Sequence, residues 1–184
     1  MVAYGHSPVG NGDLLVDQQI ATSGGALMSI PSGFHMYFAG DGHHHWHLRD
    51  LETYQLQNSA ATLKRISDKH GFCFFDDVGF NLTLPGAPQS PVHQKADCGT
   101  AADTSVTMGI SVGWSDRYDA KLPDQYIDIS DLPAGEYTLT ATADAQGYLQ
   151  ERCEGNNSTT AILQITGTTV SVVDRGKASE ACAA

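Results

Sequence analysis

Asp41-Gly42-His43-His44-His45-Trp46-His47 places four of the chain's eight histidines within seven residues. As an extended strand, it alternates its side chains between two faces. His43, His45 and His47 then share one face, about 6 to 7 Å apart from Cα to Cα at each step. His44 and Trp46 take the other. Three neutral imidazoles on one side can converge on one transition metal and leave positions open for water or substrate. The run is internal, broken by a tryptophan and flanked by apolar segments, whereas a purification tag is terminal and uninterrupted. Imidazole suits copper, zinc, iron or nickel, and copper(II) binds such donors most tightly among the common divalent ions.

Outward from this strand, short alternating segments dominate. Upstream, Asp13 to Val16 and Ala26 to Ile30 read as strands around Gly24-Gly25. Gly33 to Phe38 alternates and leads through Gly40-Asp41-Gly42 into the histidines. Downstream, Glu52 to Gln57 alternates, Asn58-Ser59-Ala60 signals a turn, and Thr62 to Ile66 returns as the second arm of a hairpin. Leu63 and Ile66 sit at helical spacing, so a short helix over Ala60 to Lys69 is the rival. Phe72-Cys73-Phe74-Phe75 is a buried apolar run. Asp77 to Pro91, punctuated by Pro85, Pro88 and Pro91, is a loop. Val106 to Val112, Gln125 to Ile129, Tyr137 to Ala143, Thr160 to Ile165 and Thr168 to Val173 complete the expected strands. No amphipathic pattern is long enough for a helix. The expected fold is all-β, an antiparallel β-sandwich with long loops and little helix. At 184 residues, a single domain is expected over 1–184, with 1–12 flexible and 174–184 a tail.

Ten Lys+Arg against 21 Asp+Glu give a formal net charge of −11. Nothing basic is available to meet phosphates, which argues against nucleic acid as a partner. An acidic surface draws in cationic substrates, though it serves plain solubility equally well. No apolar run reaches the roughly 18 residues of a transmembrane segment. Met1 to Gly12 has neither the basic start nor the apolar core of a leader, so the chain is either cytosolic or has lost one. Cys73, Cys98, Cys153 and Cys182 form no CxxC pair and no zinc-knuckle spacing. Four widely spaced cysteines fit two disulfides and an oxidising compartment, hence a secreted or extracytoplasmic protein. Three pairings are open. Pairing in sequence order, Cys73 with Cys98 and Cys153 with Cys182, is the simplest, and its second bridge would pin the alanine-rich tail.

Two further stretches carry chemistry: Asp68-Lys69-His70-Gly71-Phe72-Cys73, and Gly113-Trp114-Ser115-Asp116-Arg117-Tyr118-Asp119 leading into Tyr126-Ile127-Asp128-Ile129. With the His-x-His-x-His strand, in this order and spacing from about Gly42 to Val173, they resemble the catalytic domain of the lysyl oxidase family. These are copper amine oxidases acting on peptidyl lysine. The resemblance implies that His43, His45 and His47 are copper ligands. It also implies that Lys69 and Tyr118 become the two halves of lysine tyrosylquinone, a cofactor the protein builds from itself with copper and molecular oxygen. The tyrosine must lie near the metal to be oxidised, and the lysine must be neutral to attack it, which desolvation favours. The implied reaction converts primary amines, above all protein or peptide lysine, to aldehydes with release of ammonia and hydrogen peroxide. Asn156-Asn157 falls where the family has paired asparagines.

The departures are specific. Trp46 stands where the animal enzymes carry a tyrosine. Cys73 and Cys98 match family cysteines whose animal partners are missing here, Gly42 occupying one such position, so the two survivors would pair with each other. Thr53 stands where the animal enzymes have a histidine beyond the copper strand. The general base is therefore sought among Asp116, Asp119 and His70. The pattern fits a distant, microbial member. Singly, Lys69 is an ordinary solvated charge and Tyr118 ordinary half-buried packing; only the joint match points to an oxidase. Two rivals stay open. One is a copper or zinc β-barrel oxygenase or hydrolase without a quinone; the other is a non-enzymatic copper-binding or adhesion module. Zinc can also occupy the copper site of a purified oxidase.

Overall fold

A two-residue rhythm of burial marks the first strands of the computed structural model. It describes residues 1–184 except 11, 23–24, 41–42, 68–70, 120, 123–125 and 177–184. Strand β1 (Val2–Pro8) buries Ala3 and Gly5. Strand β2 (Leu14–Ala21) buries Leu14, Val16 and Gln18, and β3 (Leu27–Ala39) buries Phe34 and Met36. Strand β4 (His45–Arg49) breaks the rhythm, because Trp46, His47 and Leu48 are all buried. After it come β5 (Glu52–Asn58), β6 (Lys64–Ile66), β7 (Gly71–Phe72) and β8 (Val78–Gly79), then a 3₁₀ turn, Lys95–Cys98. The remaining strands are β9 (Val106–Gly109), β10 (Trp114–Ser115), β11 (Gly135–Ala143), β12 (Ser158–Thr166) and β13 (Thr169–Asp174). The fold is all-β, every strand pair is antiparallel, and the 3₁₀ turn is the sole helical element among the described residues. No helix among them is long and apolar enough to cross a membrane.

The chain divides into two compact units, residues 1–49 with 71–119 and residues 50–70 with 120–184. The first holds a six-stranded sheet in the order β7-β4-β3-β2-β1-β9 and a small β10-β8 ladder. Its buried apolar residues include Leu14, Phe34, Met36, Leu48, Phe74 and Met108. Residues 2–8, expected to be flexible, form β1, paired on both sides by β2 and β9. The inward positions are Ala3 and Gly5, too small to register as an apolar alternation. Cys73 and Cys98 are bridged, as expected, across a sequence separation of 25. A loop of that length restrains the unfolded chain by about 3.5 kcal/mol. Cys153 is also disulfide-bonded, and its expected partner Cys182 lies outside the described residues.

Asp76 ties the loops of this unit together. It is buried, and its carboxylate accepts hydrogen bonds from the backbone N–H of Val92, His93 and Ser111 and from the Ser111 hydroxyl. Burial pushes its pKa up, but these four donors outweigh burial and hold it below the usual carboxylate value.

The second unit holds a five-stranded sheet in the order β13-β12-β11-β5-β6. Leu56, Tyr137 and Ile165 form its buried centre, with Ile127, Ile129, Leu132, Leu139 and Leu163 packed against it. The expected hairpin is present: β5 and β6 pair from Gln55↔Ile66 to Gln57↔Lys64. The Asn58 side chain builds its turn, accepting from the N–H of Thr62 and Leu63 and donating to the Thr62 hydroxyl. That local competition for the backbone defeats the rival helix. The strand expected at Gln125 to Ile129 is not one across its described residues, 126–129. Ile127 and Ile129 still partly bury their apolar side chains, but the Asp128 carboxylate accepts from the Ser130 N–H and hydroxyl, and this turn ends the extension.

Candidate metal centre

The histidine stretch is only partly a strand. His45 and His47 lie on β4 and share a face, as alternation requires. His43 lies in the preceding turn rather than on the strand. His44 takes a left-handed backbone, φ 55°, a region that histidine enters more readily than most residues. His43 presents Nδ1, the near ring nitrogen, to His47. His43 Nδ1 lies 3.4 Å from His47 Nε2, and His47 Nε2 lies 3.0 Å from His45 Nε2. One ligand atom from each of the three falls within 4.8 Å of the others. Two imidazole nitrogens bound to one ion at about 2.0–2.1 Å, with angles near 90–110°, sit roughly 2.8–3.4 Å apart. Both separations fall in that range, so the donor set fits a single transition metal.

The opposite face fixes β4 in place. Trp46 is buried, meets Phe38 edge to face at 5.8 Å between ring centroids, and donates its indole N–H to the Thr100 carbonyl at 2.8 Å. On one side β4 pairs with β3, bringing Tyr37 opposite His47. On the other it pairs with β7, bringing Gly71 opposite Arg49. A Cβ at Gly71 would lie 2.9 Å from the Leu48 carbonyl oxygen, 2.7 Å from Tyr37 Cε1 and 3.0 Å from His47 Cβ. Only glycine lets β7 come this close.

Tyr118 is tied to the same region of the unit. Its hydroxyl donates to the carbonyl of Cys73, the residue after β7, and its ring meets Phe72 edge to face at 5.2 Å. Burial pushes the phenol pKa far up, and the charge and hydrogen bond of Asp116 push it further. Tyr118 is therefore a neutral phenol near neutral pH. Of the three base candidates, Asp116 is half-buried and interacts with Tyr118, Asp119 is exposed, and His70 lies outside the described residues. Lys69 lies outside them too; in the chain it stands two residues before Gly71.

Two features escaped sequence reasoning. Tyr37 is one, and the available signal was its place on the strand preceding the histidines. The other is in the second unit, where ligand oxygens of Asp144, Glu151 and Glu154 lie within 4.8 Å of one another. The Asp144 carboxylate accepts from the N–H of Tyr148 and Leu149, and the Asn157 amide donates to Glu151 and Glu154. This gives Asn157, the second of the paired asparagines, a local structural role.

Comparison with known proteins agrees with the resemblance read from the sequence. Protein-lysine 6-oxidase of Sus scrofa is 28% identical over 130 residues, covering 68% of this chain and 45% of that protein. The Homo sapiens protein-lysine 6-oxidase is also 28% identical over 130 residues, 68% of this chain and 27% of that protein. Lysyl oxidase homolog 2 of Homo sapiens is 26% identical over 145 residues, 78% of this chain and 17% of that protein. The chain thus spans less than half the length of these curated relatives. The family model described as lysyl oxidase matches residues 10–175, nearly the whole chain, and the protein belongs to the lysyl oxidase family.

Proposed function

We propose that this protein is a copper-dependent amine oxidase whose quinone cofactor derives from Lys69 and Tyr118. It would oxidise primary amines, above all peptidyl lysine, to aldehydes with release of ammonia and hydrogen peroxide. The observation that carries the reading is the convergence of three imidazole nitrogens in the unit that also holds a half-buried phenol, Tyr118. His43 through Nδ1, and His45 and His47 through Nε2, would hold the copper. When bound, copper with molecular oxygen supplies oxidising equivalents, and the quinone supplies the electron acceptor for amine oxidation.

The chain's own residues do the rest. The Cys73 carbonyl, on a residue bridged to Cys98, fixes the Tyr118 ring through its hydroxyl. Asp116, hydrogen-bonded to the Tyr118 phenol, takes the proton from the carbon next to the amine nitrogen. The net charge of −11 draws protonated amines toward the molecule. The Cys73–Cys98 bridge fits a protein working in an oxidising, extracytoplasmic compartment.

The test is copper loading in air, followed by peroxide release on a lysine peptide and mass analysis for a joined Lys69–Tyr118 peptide. Both signals are expected, both are absent in Tyr118→Phe, and Asp116→Asn keeps the joined peptide while losing about 100-fold in kcat. A Tyr118→Phe variant that stays fully active while His45→Ala is inactive overturns the quinone and favours an oxygenase or hydrolase. Peroxide from no amine tested leaves a copper-binding module.

A further inference from the structure

His47 is the most buried of the three candidate ligands, at 3% exposure, and its second ring nitrogen faces the protein. The Tyr37 hydroxyl lies 3.3 Å from His47 Nδ1, and the two rings meet edge to face at 5.5 Å between centroids. The contact follows from topology. Tyr37 and His47 are directly opposed in the β3–β4 register, where cross-strand neighbours on one face touch.

Tyr37 is itself held on two sides. The Arg49 guanidinium stacks over its ring at 4.3 Å from the centroid, and Arg49 is in turn 3.6 Å from the Asp13 carboxylate. Gly71 closes against the ring edge, where a Cβ would come within 2.7 Å of Cε1. The hydroxyl therefore has one place to be.

An imidazole that binds a metal through one nitrogen carries its proton on the other, and the partner of that N–H sets the tautomer and the ring orientation. We infer that Tyr37 is a positioning residue of the metal centre. Its hydroxyl oxygen accepts a hydrogen bond from His47 Nδ1–H. That keeps the lone pair on Nε2, the atom that faces His45 and His43. The inference rests on the reading of the three histidines as metal ligands, and the experiment separates the two.

Tyr37→Phe keeps the ring between Arg49 and Gly71 and removes only the oxygen. Two measurements on the full chain decide. Nitrogen NMR of the His47 ring in the metal-free protein, above the histidine titration range, is expected to show the Nδ1–H form in the wild type and its loss in Tyr37→Phe. Competition of the copper-loaded protein against a chelator is expected to give about 10- to 100-fold weaker copper binding in the variant. Copper affinity within twofold of the wild type, or a His47 tautomer unchanged by the substitution, overturns the proposal. Should the variant not fold, the wild-type ring alone decides, an Nε2–H form sinking it. A wild type that binds no copper yet shows the Tyr37-dependent tautomer removes the metal reading and leaves the hydrogen bond.

Discussion

Strands β4 and β13 are nearly equal in length and opposite in situation. β4 is paired on both sides, by β3 and β7, and three of its five residues are buried. β13 is an edge strand beside β12, and all six of its residues are exposed. Both alternate in sequence, so alternation reports a strand but not how deeply it sits. The difference matters for function. Ligand nitrogens must be held within a fraction of an ångström, and a strand wedged between neighbours, with an anchored opposite face, holds His45 and His47 in that way. Substitutions around β4 should therefore be costly and those on β13 nearly silent.

The largest effect is expected at Asp76, four residues past β7. Asp76→Ala leaves the part-buried N–H groups of Val92, His93 and Ser111 without their acceptor. At about 1–3 kcal/mol for each unsatisfied group, the loss should be on the order of 4 kcal/mol, read from urea unfolding. The same carboxylate sets an acid limit. Its folded pKa lies below its ordinary value. Its contribution is thus complete above the unfolded pKa of about 3.9 and is lost as pH falls through the folded value. As pH falls from about 5 to about 2, the wild type should lose melting temperature more steeply than Asp76→Asn. Equal slopes would mean that other carboxylates set the acid limit.

Next comes Gly71→Ala. The Leu48 carbonyl oxygen, 2.9 Å from the new Cβ, is backbone and cannot rotate away, while Tyr37 and His47 crowd the other directions. Overpacking of this kind costs about 3 kcal/mol. A variant destabilised by less than about 1 kcal/mol would mean that β7 can separate from β4, and the wedge would not be the source of rigidity.

These two positions show what could be read in advance. The convergence of the three histidines, the β5–β6 hairpin and the Cys73–Cys98 bridge were legible, because each rests on residue types at short spacing or on a family pattern. β1 was not, since Ala3 and Gly5 face inward and carry no apolar signal. Gln125 to Ile129 misled, because Ile127 and Ile129 alternate toward a core without a strand partner. The extended form expected through His43 failed at one torsion, the positive φ of His44. Tyr37 was invisible as a site residue because its partner, His47, is set by strand register, which no local pattern states.

A smaller effect is expected at Trp46, on the anchored face of β4. Trp46→Phe keeps an aromatic ring against Phe38 but leaves the Thr100 carbonyl without its indole donor. The lost hydrogen bond and the partly filled space together should cost about 2 kcal/mol in thermal unfolding. Copper affinity sharpens the comparison: if anchoring this face positions the imidazoles on the other, affinity should fall as well.

The smallest effect is expected at Val172 on β13, 58% exposed. Val172→Thr keeps the β-branched shape that strands favour and exchanges a methyl group facing water for a hydroxyl. Nothing buried is lost, so unfolding free energy should change by less than about 0.5 kcal/mol. A cost above about 1 kcal/mol would mean that this face of the edge strand is covered in the folded protein. Because a covering partner protects only as much as it is present, the same variant measured at tenfold dilution would then show a concentration-dependent midpoint if the cover is another copy of the chain. An unchanged midpoint would locate the cover within the chain itself.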